Sequence, residues 1–160
     1  MKRSNSKKKW RVAEIELRYI SNVRNSQRPR IESSEDAYRI FLQTWDKKKI
    51  NLLEQFKVML VNKACKVLGI SGISSGGISQ TIADAKLIFA AALKGGASGL
   101  IVAHNHPSGS LNASRADIKL TKKLQEIGKL LDLPLLDHII VTSEHYLSFA
   151  DEGLLVKPIF

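Results

Sequence analysis

Two histidines, a serine and an aspartate follow the spacing H-x-H-x7-S-x-x-D at His104, His106, Ser114 and Asp117. Residues two apart in a β-strand point to the same side, so both histidines at a strand end can reach one ion. An aspartate in the first turn of a following helix can fold back to the same point. Three protein ligands leave a fourth tetrahedral position for water, which is typical of catalytic zinc sites. The spacing predicts a hydrolytic Zn²⁺ site held by His104, His106 and Asp117.

The histidine pair has a second interpretation, as surface or turn histidines that hold no metal. A serine and an aspartate at the required offsets would rarely arise from composition alone, which favours metal binding. The single cysteine, Cys65, excludes an internal disulfide and a cysteine-based zinc cluster, so histidines and carboxylates are the available ligands.

Two further residues are candidates for catalysis. Ser114 is a good helix N-cap, and its hydroxyl could also donate a hydrogen bond to the oxyanion that forms when zinc-activated water attacks a carbonyl. Glu54 begins a strand and is the best-placed acid to serve as the general base that such a site needs. Its other interpretation is an ordinary exposed residue at a strand start. The two roles of Ser114 do not exclude each other, whereas spacing alone leaves both interpretations of Glu54 open.

The pattern of apolar residues predicts alternating strands and helices around one mixed sheet, an α/β fold. We expect a hairpin of two central strands over 54–62 and 65–70, followed by a flexible Ser/Gly connection over 71–77. The other predicted strands cover 13–19, 99–103 and 135–141, with short edge pieces at 146–149 and 154–156. Predicted helices run from Ser33 or Ser34 through Trp45, from Thr81 or Asp84 to Gly95-Gly96, and from Ser114 to about Leu131.

The length of 160 residues and the apolar content of 44% suit one globular domain with a sizeable core. No apolar run approaches the roughly 20 residues that span a bilayer, and no apolar signal core follows the basic N-terminus. We therefore expect a cytoplasmic protein without membrane association. The sequence does not indicate an oligomeric state.

The net charge of +10 is concentrated near the N-terminus. Residues 1–30 carry ten Lys and Arg against two acids, whereas residues 31–160 carry fifteen against thirteen. We expect residues 1–30 to be a basic tail with an early strand, followed by one domain over 31–160. Such a tail is usually solvated, and less often it contacts nucleic-acid phosphates, so a weak DNA contact is possible.

The motifs together resemble the RadC family within the JAMM (MPN-type) metallopeptidase group. The residues that carry the resemblance are His104-Asn105-His106-Pro107-Ser108-Gly109, Ser114, Asp117, Leu136-Asp137-His138-Ile139-Ile140, Glu54 with Phe56, and Ser148-Phe149 with Gly153. The likeness extends from about Ile31 to the C-terminus.

The resemblance implies a mixed sheet sandwiched by helices, in the JAMM/MPN-type (cytidine-deaminase-like) fold. It also implies zinc bound by His104, His106 and Asp117, Glu54 as general acid and base, and Ser114 assisting at the oxyanion. The implied reaction is hydrolysis of a peptide or isopeptide bond. Asp137 and His138 match a family motif, and we interpret them as residues that pack or hydrogen-bond locally.

Other functions carry different expectations. The family's traditional label is DNA repair, so the alternative is a DNA-binding factor or nuclease with the same metal site. A non-catalytic interaction module is a third possibility, which the complete ligand set disfavours. A nucleobase deaminase is excluded because His-x-Glu and Pro-Cys-x-x-Cys are both missing.

Overall fold

Five strands form one mixed sheet in the computed structural model, which describes residue 13 and residues 19–76 and 83–156. In chain order the elements are α1 (Ser34–Thr44), β1 (Gln55–Val61), β2 (Val67–Ser75), α2 (Ala85–Lys94), β3 (Gly99–Asn105), α3 (Arg115–Leu130), β4 (Leu135–Val141) and β5 (Tyr146–Ser148), preceded by a 3₁₀ turn at Asn25–Gln27. The prediction of an α/β fold with a single mixed sheet is confirmed.

The strands lie across the sheet in the order β2-β1-β3-β4-β5. β1 is antiparallel to both β2 and β3, β3 and β4 are parallel, and β5 is antiparallel to β4. A parallel pair needs a crossover connection, which α3 provides. β3 and β4 end on the side of the sheet where β1 begins. The residues that follow β3 therefore lie close to those that precede β1.

α1 covers one face of the sheet, and α2 and α3 cover the other. Successive side chains of a strand point to opposite faces. Accordingly, Ile101 of β3 packs in the same cluster as Phe41 of α1. Val102 instead packs in the cluster that contains Ile88 of α2 and Leu124 of α3. The even-numbered residues of β3, which include His104, therefore lie on the face that α3 covers.

Each helix begins at a polar cap that the sequence predicts. Ser33 and Ser114 form capping boxes at the starts of α1 and α3, and the side chain of Asp84 accepts a backbone N–H of α2. α2 ends at Gly95, and Gly96 adopts a φ of +61° that favours glycine. No helix within the described ranges is both long and apolar enough to cross a membrane.

The hairpin of β1 and β2 is confirmed, but two details of its prediction were wrong. β2 continues through Ser75, so most of the predicted flexible connection is strand, and β2 lies at the sheet edge rather than centrally. Serine and glycine have little intrinsic strand preference, so pairing with β1 decides their structure. Phe56 pairs with Ser74 and Lys57 with Gly72, which leaves Ile73 as an extra residue in a bulge.

The prediction of an edge strand over residues 154–156 was wrong, because these residues form no strand and directly follow a turn over 151–153. The N–H groups of Leu154 and Leu155 donate to the carbonyl of Phe149 at 2.8 and 3.2 Å. Leu155 is buried within the core on the α2 and α3 face, so its apolar character reflects packing rather than a strand. The short edge strand predicted just before this turn is present as β5.

Two predictions about the N-terminal segment concern residues that the structure does not describe. The basic segment up to residue 12 and most of the predicted strand over 13–19 are among them. The division of the chain after residue 30 therefore stays a prediction.

The side chain of Asn105 fastens the segment before β1 to the end of β3. Its Nδ2 donates to the carbonyl oxygens of Ile50 at 2.6 Å and Leu53 at 2.8 Å. Its Oδ1 accepts the N–H of Gln55 at 2.7 Å. The amide is fully buried. These bonds reach the backbone on both sides of Glu54. They therefore hold that residue beside the end of β3.

We expect Asn105→Asp to lower the free energy of unfolding, measured by urea denaturation. Aspartate keeps an acceptor for the Gln55 N–H but loses both donors and turns an oxygen toward two carbonyls. Leaving buried polar groups unsatisfied costs about 1–3 kcal/mol. The matched control is Asn112→Asp, which makes the same change at an exposed position. Equal stability of the two variants would contradict the anchoring role.

Candidate metal centre

The end of β3 places His104 and His106 on the same side of the sheet, as their spacing predicts. Their Nε2 atoms lie 3.0 Å apart. His104 is buried, and its ring stacks on Phe56 of β1 with centroids 6.1 Å apart. His106 follows the strand and keeps 16% of its side chain exposed. The two rings therefore present nitrogens to one point that is open to solvent on the His106 side.

Asp117 reaches this point from the first turn of α3. Its Oδ1 lies 3.3 Å from Nε2 of His104, and its Oδ2 lies 3.9 Å from Nε2 of His106. Oδ2 also accepts the backbone N–H of Ser114 at 2.7 Å, as part of the capping box. The same contacts that begin the helix thus orient the carboxylate toward the histidines.

These three side chains form a group that could hold a metal ion. One ligand atom from each lies within 4.8 Å of the others. A tetrahedral ion with bonds of about 2.0–2.1 Å places its ligand atoms about 3.3 Å apart. The separations of 3.0 and 3.3 Å around Nε2 of His104 are near that spacing, whereas Nε2 of His106 and Oδ2 of Asp117 are somewhat wider apart at 3.9 Å. Two imidazole nitrogens and a carboxylate oxygen are also a donor set that Zn²⁺ accepts.

One hydrogen bond of His106 indicates the tautomer of its neutral ring. Its Nδ1 lies 2.8 Å from the carbonyl oxygen of Ser110. A carbonyl can only accept, so Nδ1 carries the hydrogen and Nε2 of the neutral ring carries a lone pair. The partner on the outer nitrogen is the usual device that fixes the tautomer of a metal-binding histidine.

Burial keeps His104 and His138 neutral. It lowers the pKa of His104 to about 4, an effect that Asp117 opposes and His106 reinforces. Burial also holds the pKa of His138 well below its ordinary value, and the two neighbouring histidines add to this. Both rings are therefore neutral near pH 7, the form in which imidazole binds metals.

His138 lies directly behind His104. Its Nε2 is 2.8 Å from Nδ1 of His104, and its Nδ1 is 2.7 Å from Oγ1 of Thr121. Its ring stacks on Phe149 with centroids 4.6 Å apart. Sequence reasoning assigned His138 to local packing and missed its contact with a predicted ligand. The available signal was that His138 lies two residues before Ile140 in an apolar strand, so both side chains point to the same buried face of the sheet.

Asp137 points to the opposite face of β4 and is held by local hydrogen bonds, as interpreted from the sequence. Ser148 donates its hydroxyl to Oδ2 at 2.6 Å, and the N–H groups of His138 and Ala150 donate to Oδ1. Burial raises the pKa of Asp137, and these three hydrogen bonds oppose the rise. Asp137 therefore stabilises the turn after β5 and takes no part in the histidine group.

Glu54 lies one residue before β1, at the same edge of the sheet. Phe56 pairs with His104, so continuing the antiparallel register by two residues sets Glu54 opposite His106. Its carbonyl accepts the N–H of Gly76 at 2.9 Å, and its side chain is partly buried. Among the described residues the candidate metal group consists of the other three side chains, and Glu54 is not part of it. That position suits a residue acting on a water beside the metal.

Ser114 caps α3, and its hydroxyl oxygen accepts the N–H of Asp117 at 3.1 Å. This confirms the capping interpretation. The hydroxyl still has its own hydrogen to donate. The side chain lies at the exposed start of the helix, next to the carboxylate of Asp117.

Comparison with known proteins gives relatives of similar sequence along most of the chain. A UPF0758 protein of Flavobacterium johnsoniae is 45% identical over 127 residues, covering 78% of this chain and 53% of the relative. A UPF0758 protein of Porphyromonas gingivalis is 40% identical over 149 residues, covering 90% and 63%. One from Alkaliphilus metalliredigens is 34% identical over 145 residues, covering 90% and 61%. The chain thus spans between half and two-thirds of the length of these relatives.

The family described as RadC-like JAB domain matches residues 31–154. That range contains the whole sheet, the three residues of the candidate metal group, and both Glu54 and Ser114. The match covers more than half of the chain and agrees with the resemblance seen in its motifs. The chain therefore belongs to the family of RadC-like JAB domains.

Proposed function

We propose that this chain is a zinc-dependent hydrolase that cleaves amide bonds of the peptide or isopeptide type. The observation that carries the proposal is the convergence of His104, His106 and Asp117 on one point. Three protein ligands with one side open to solvent are the pattern of a catalytic site, since a structural zinc site uses four. Membership of the RadC-like JAB family supports the same conclusion.

The proposed reaction divides the work among the chain's own residues. Bound zinc supplies a positive charge that lets a water ionise near neutral pH. Glu54 accepts the proton of the attacking water and later delivers it to the leaving amine nitrogen as the C–N bond breaks. The hydroxyl of Ser114 donates to the carbonyl oxygen as negative charge develops there.

The position of Glu54 supports its role as the proton carrier. Asn105 bonds the carbonyl before it and the N–H after it, so the backbone at this residue is fixed relative to β3. A general base must lie within hydrogen-bond reach of its proton, and small displacements reduce its effect. Asn105 is therefore a positioning residue for Glu54 in this proposal.

Metal content tests the first half of the proposal. Wild-type protein incubated with Zn²⁺ and desalted should retain about one zinc per chain by elemental analysis, because three ligands are assembled before the ion arrives. Asp117→Ala and His106→Ala should each lose it. His145→Ala is the matched control, because His145 is exposed and lies outside the ligand group. Wild-type protein that takes up no zinc would remove the hydrolase proposal.

Substitution of Glu54 tests the second half. Glu54→Gln keeps the size of the side chain but cannot carry a proton, so turnover should fall by about 10²–10⁴-fold. Zinc content should not change. Hydrolysis is measured on libraries of quenched-fluorescence peptides and isopeptide-linked lysine derivatives. Glu152→Gln makes the same change at an exposed residue far along the chain and should retain activity. Full activity in Glu54→Gln would exclude it as the general base.

Contact with DNA remains a prediction. The basic residues that motivate it lie mainly before residue 13, outside the described part of the chain. Because the relatives are longer than this chain, the partners and natural substrate of the whole protein are also matters for proposal. The described residues favour hydrolysis over a role limited to DNA binding, since His104, His106 and Asp117 form a group that could hold a catalytic metal ion.

A further inference from the structure

The outer edge of β2 has no neighbouring strand among the residues that the structure describes. β2 comes first in the order across the sheet, and β1 is the described strand that pairs with it. Proteins usually protect such an edge with charged residues or proline, because its free N–H and C=O groups attract other extended chains. β2 carries neither, since its sequence is Val-Leu-Gly-Ile-Ser-Gly-Ile-Ser-Ser. The edge is therefore suited to accept a further strand.

The regular part of this edge is residues 69–72. The register with β1 shifts at Leu68 and again at Ile73, so the stretch between them lies between two bulges. Within it, Ile70 is only partly buried and packs at the margin of the core cluster on the α1 face. Gly72 lies on the same face, and no atom lies within 4 Å of the position that a Cβ would take there. The α1 face of β2 therefore has room for further apolar side chains.

The described chain reaches this edge at Tyr19. The hydroxyl of Tyr19 donates to the backbone carbonyl of Leu68 at 2.9 Å, near the start of β2. Ten residues later, the carbonyl of Pro29 accepts the N–H of Val67, also at 2.9 Å. The chain on the C-terminal side of Tyr19 is thus fastened to the start of β2. The residues just before Tyr19 consequently begin beside the open edge.

The sequence just before Tyr19 has the pattern of a strand with one apolar face. It reads Glu14-Ile15-Glu16-Leu17-Arg18, and this segment lies outside the described residues. In a strand, Ile15 and Leu17 point to one side and the three charged residues to the other. An apolar face can pack on the protein, while charged side chains protect the new edge that such a strand creates. The segment therefore has the chemistry that the edge of β2 lacks.

We propose that residues 14–18 bind the outer edge of β2 as a sixth strand, antiparallel to it. Tyr19 sets the direction, because it holds the C-terminal end of the segment at the start of β2. Parallel pairing would place residue 18 at the far end of β2, away from Tyr19. The proposal concerns strand pairing and does not depend on a bound metal.

The same contact sets the register. Continuing the antiparallel pairs from Tyr19 places Leu17 opposite Ile70 and Ile15 opposite Gly72. Both apolar side chains then lie on the α1 face, beside the partly buried Ile70 and over the open space at Gly72. The proposed strand thus extends the core cluster on that face.

The direction of this strand also decides where the basic N-terminal residues lie. β2 ends at Ser75, and the N–H of the next residue, Gly76, donates to the carbonyl of Glu54. An antiparallel strand on β2 begins near this end. Residues 1–13 therefore precede the proposed strand on the side of the sheet that holds Glu54 and the metal group.

Disulfide cross-linking of the full chain tests the pairing and its register. Cys65→Ser first removes the single native cysteine. One test pair is Leu17→Cys with Ile70→Cys, and the other is Ile15→Cys with Gly72→Cys. Both should form a disulfide within one chain under mild oxidation, because opposite residues of an antiparallel pair lie within disulfide reach. Glu16→Cys with Ile70→Cys is the matched control and should cross-link far less, since residue 16 faces away.

Hydrogen exchange supplies a measurement without introduced cysteines. Alternate N–H groups of residues 69–72 point to the outer edge and should be protected in wild type. Ile15→Ser/Leu17→Ser removes the apolar face of the segment and should speed their exchange by at least about 10-fold. Ile20→Ser/Val23→Ser makes the same change at two exposed residues beyond the segment and should leave exchange unchanged.

Each opposite result would overturn the proposal. Outer N–H groups that exchange freely in wild type would show an open edge. Protection that survives Ile15→Ser/Leu17→Ser would assign the edge to another occupant, and to a second copy of the chain if it rises with protein concentration. Equal cross-linking by the control pair and the test pairs would rule out a strand in this register. The zinc measurements decide the proposed function separately.

Discussion

The parallel pairing of β3 with β4 is the constraint on which the candidate site depends. It requires a crossover, and α3 makes that crossover across the face on which His104 lies. The helix must begin close to where β3 ends, so its first turn faces the histidines. Asp117 reaches them because its carboxylate is held by the cap of that helix. A different connection between these strands would leave the three side chains of the candidate metal group on separate parts of the molecule.

Side chains along β3 point alternately to the two faces of the sheet, and the two sets have different roles. His104 and the position of His106 face α3, where both belong to the candidate metal group. Asn105 between them faces the other way and anchors the segment that carries Glu54. A shift of the strand by one residue would exchange these faces. The apolar residues before the histidines prevent such a shift, because Val102 and Ile101 are committed to different cores. The packing of the strand therefore fixes the register of the site.

Local signals in the sequence predicted much of this arrangement. Ser33, Asp84 and Ser114 mark helix starts because each bonds a backbone group only a few residues away. The spacing of His104, His106 and Asp117 likewise follows from strand and helix geometry. The signals that failed concern contacts between distant segments. Ser71–Ser75 forms strand because β1 lies beside it, which no property of those residues encodes.

The contact between His104 and His138 also joins segments that are distant in the sequence. It depends on the stagger of two parallel strands, in which His138 pairs with Val102 and so lies diagonally next to His104. Sequence reasoning could place His138 on a buried strand face but could not set that stagger. The bonds of Asn105 to Ile50 and Leu53 are similar, because they join a strand to an irregular segment.

The proposed function gives Asp117 a second role beside its part in the helix cap, and this affects how related chains should be compared. As the third residue of α3 it completes a capping box, and a cap contributes about 1 kcal/mol to a helix with or without a metal. A relative that binds no metal would still gain stability by keeping this aspartate. The aspartate is therefore a poor marker of catalytic competence among relatives. His106 is a better marker, since its partly exposed ring contributes less to the core than to the ligand group.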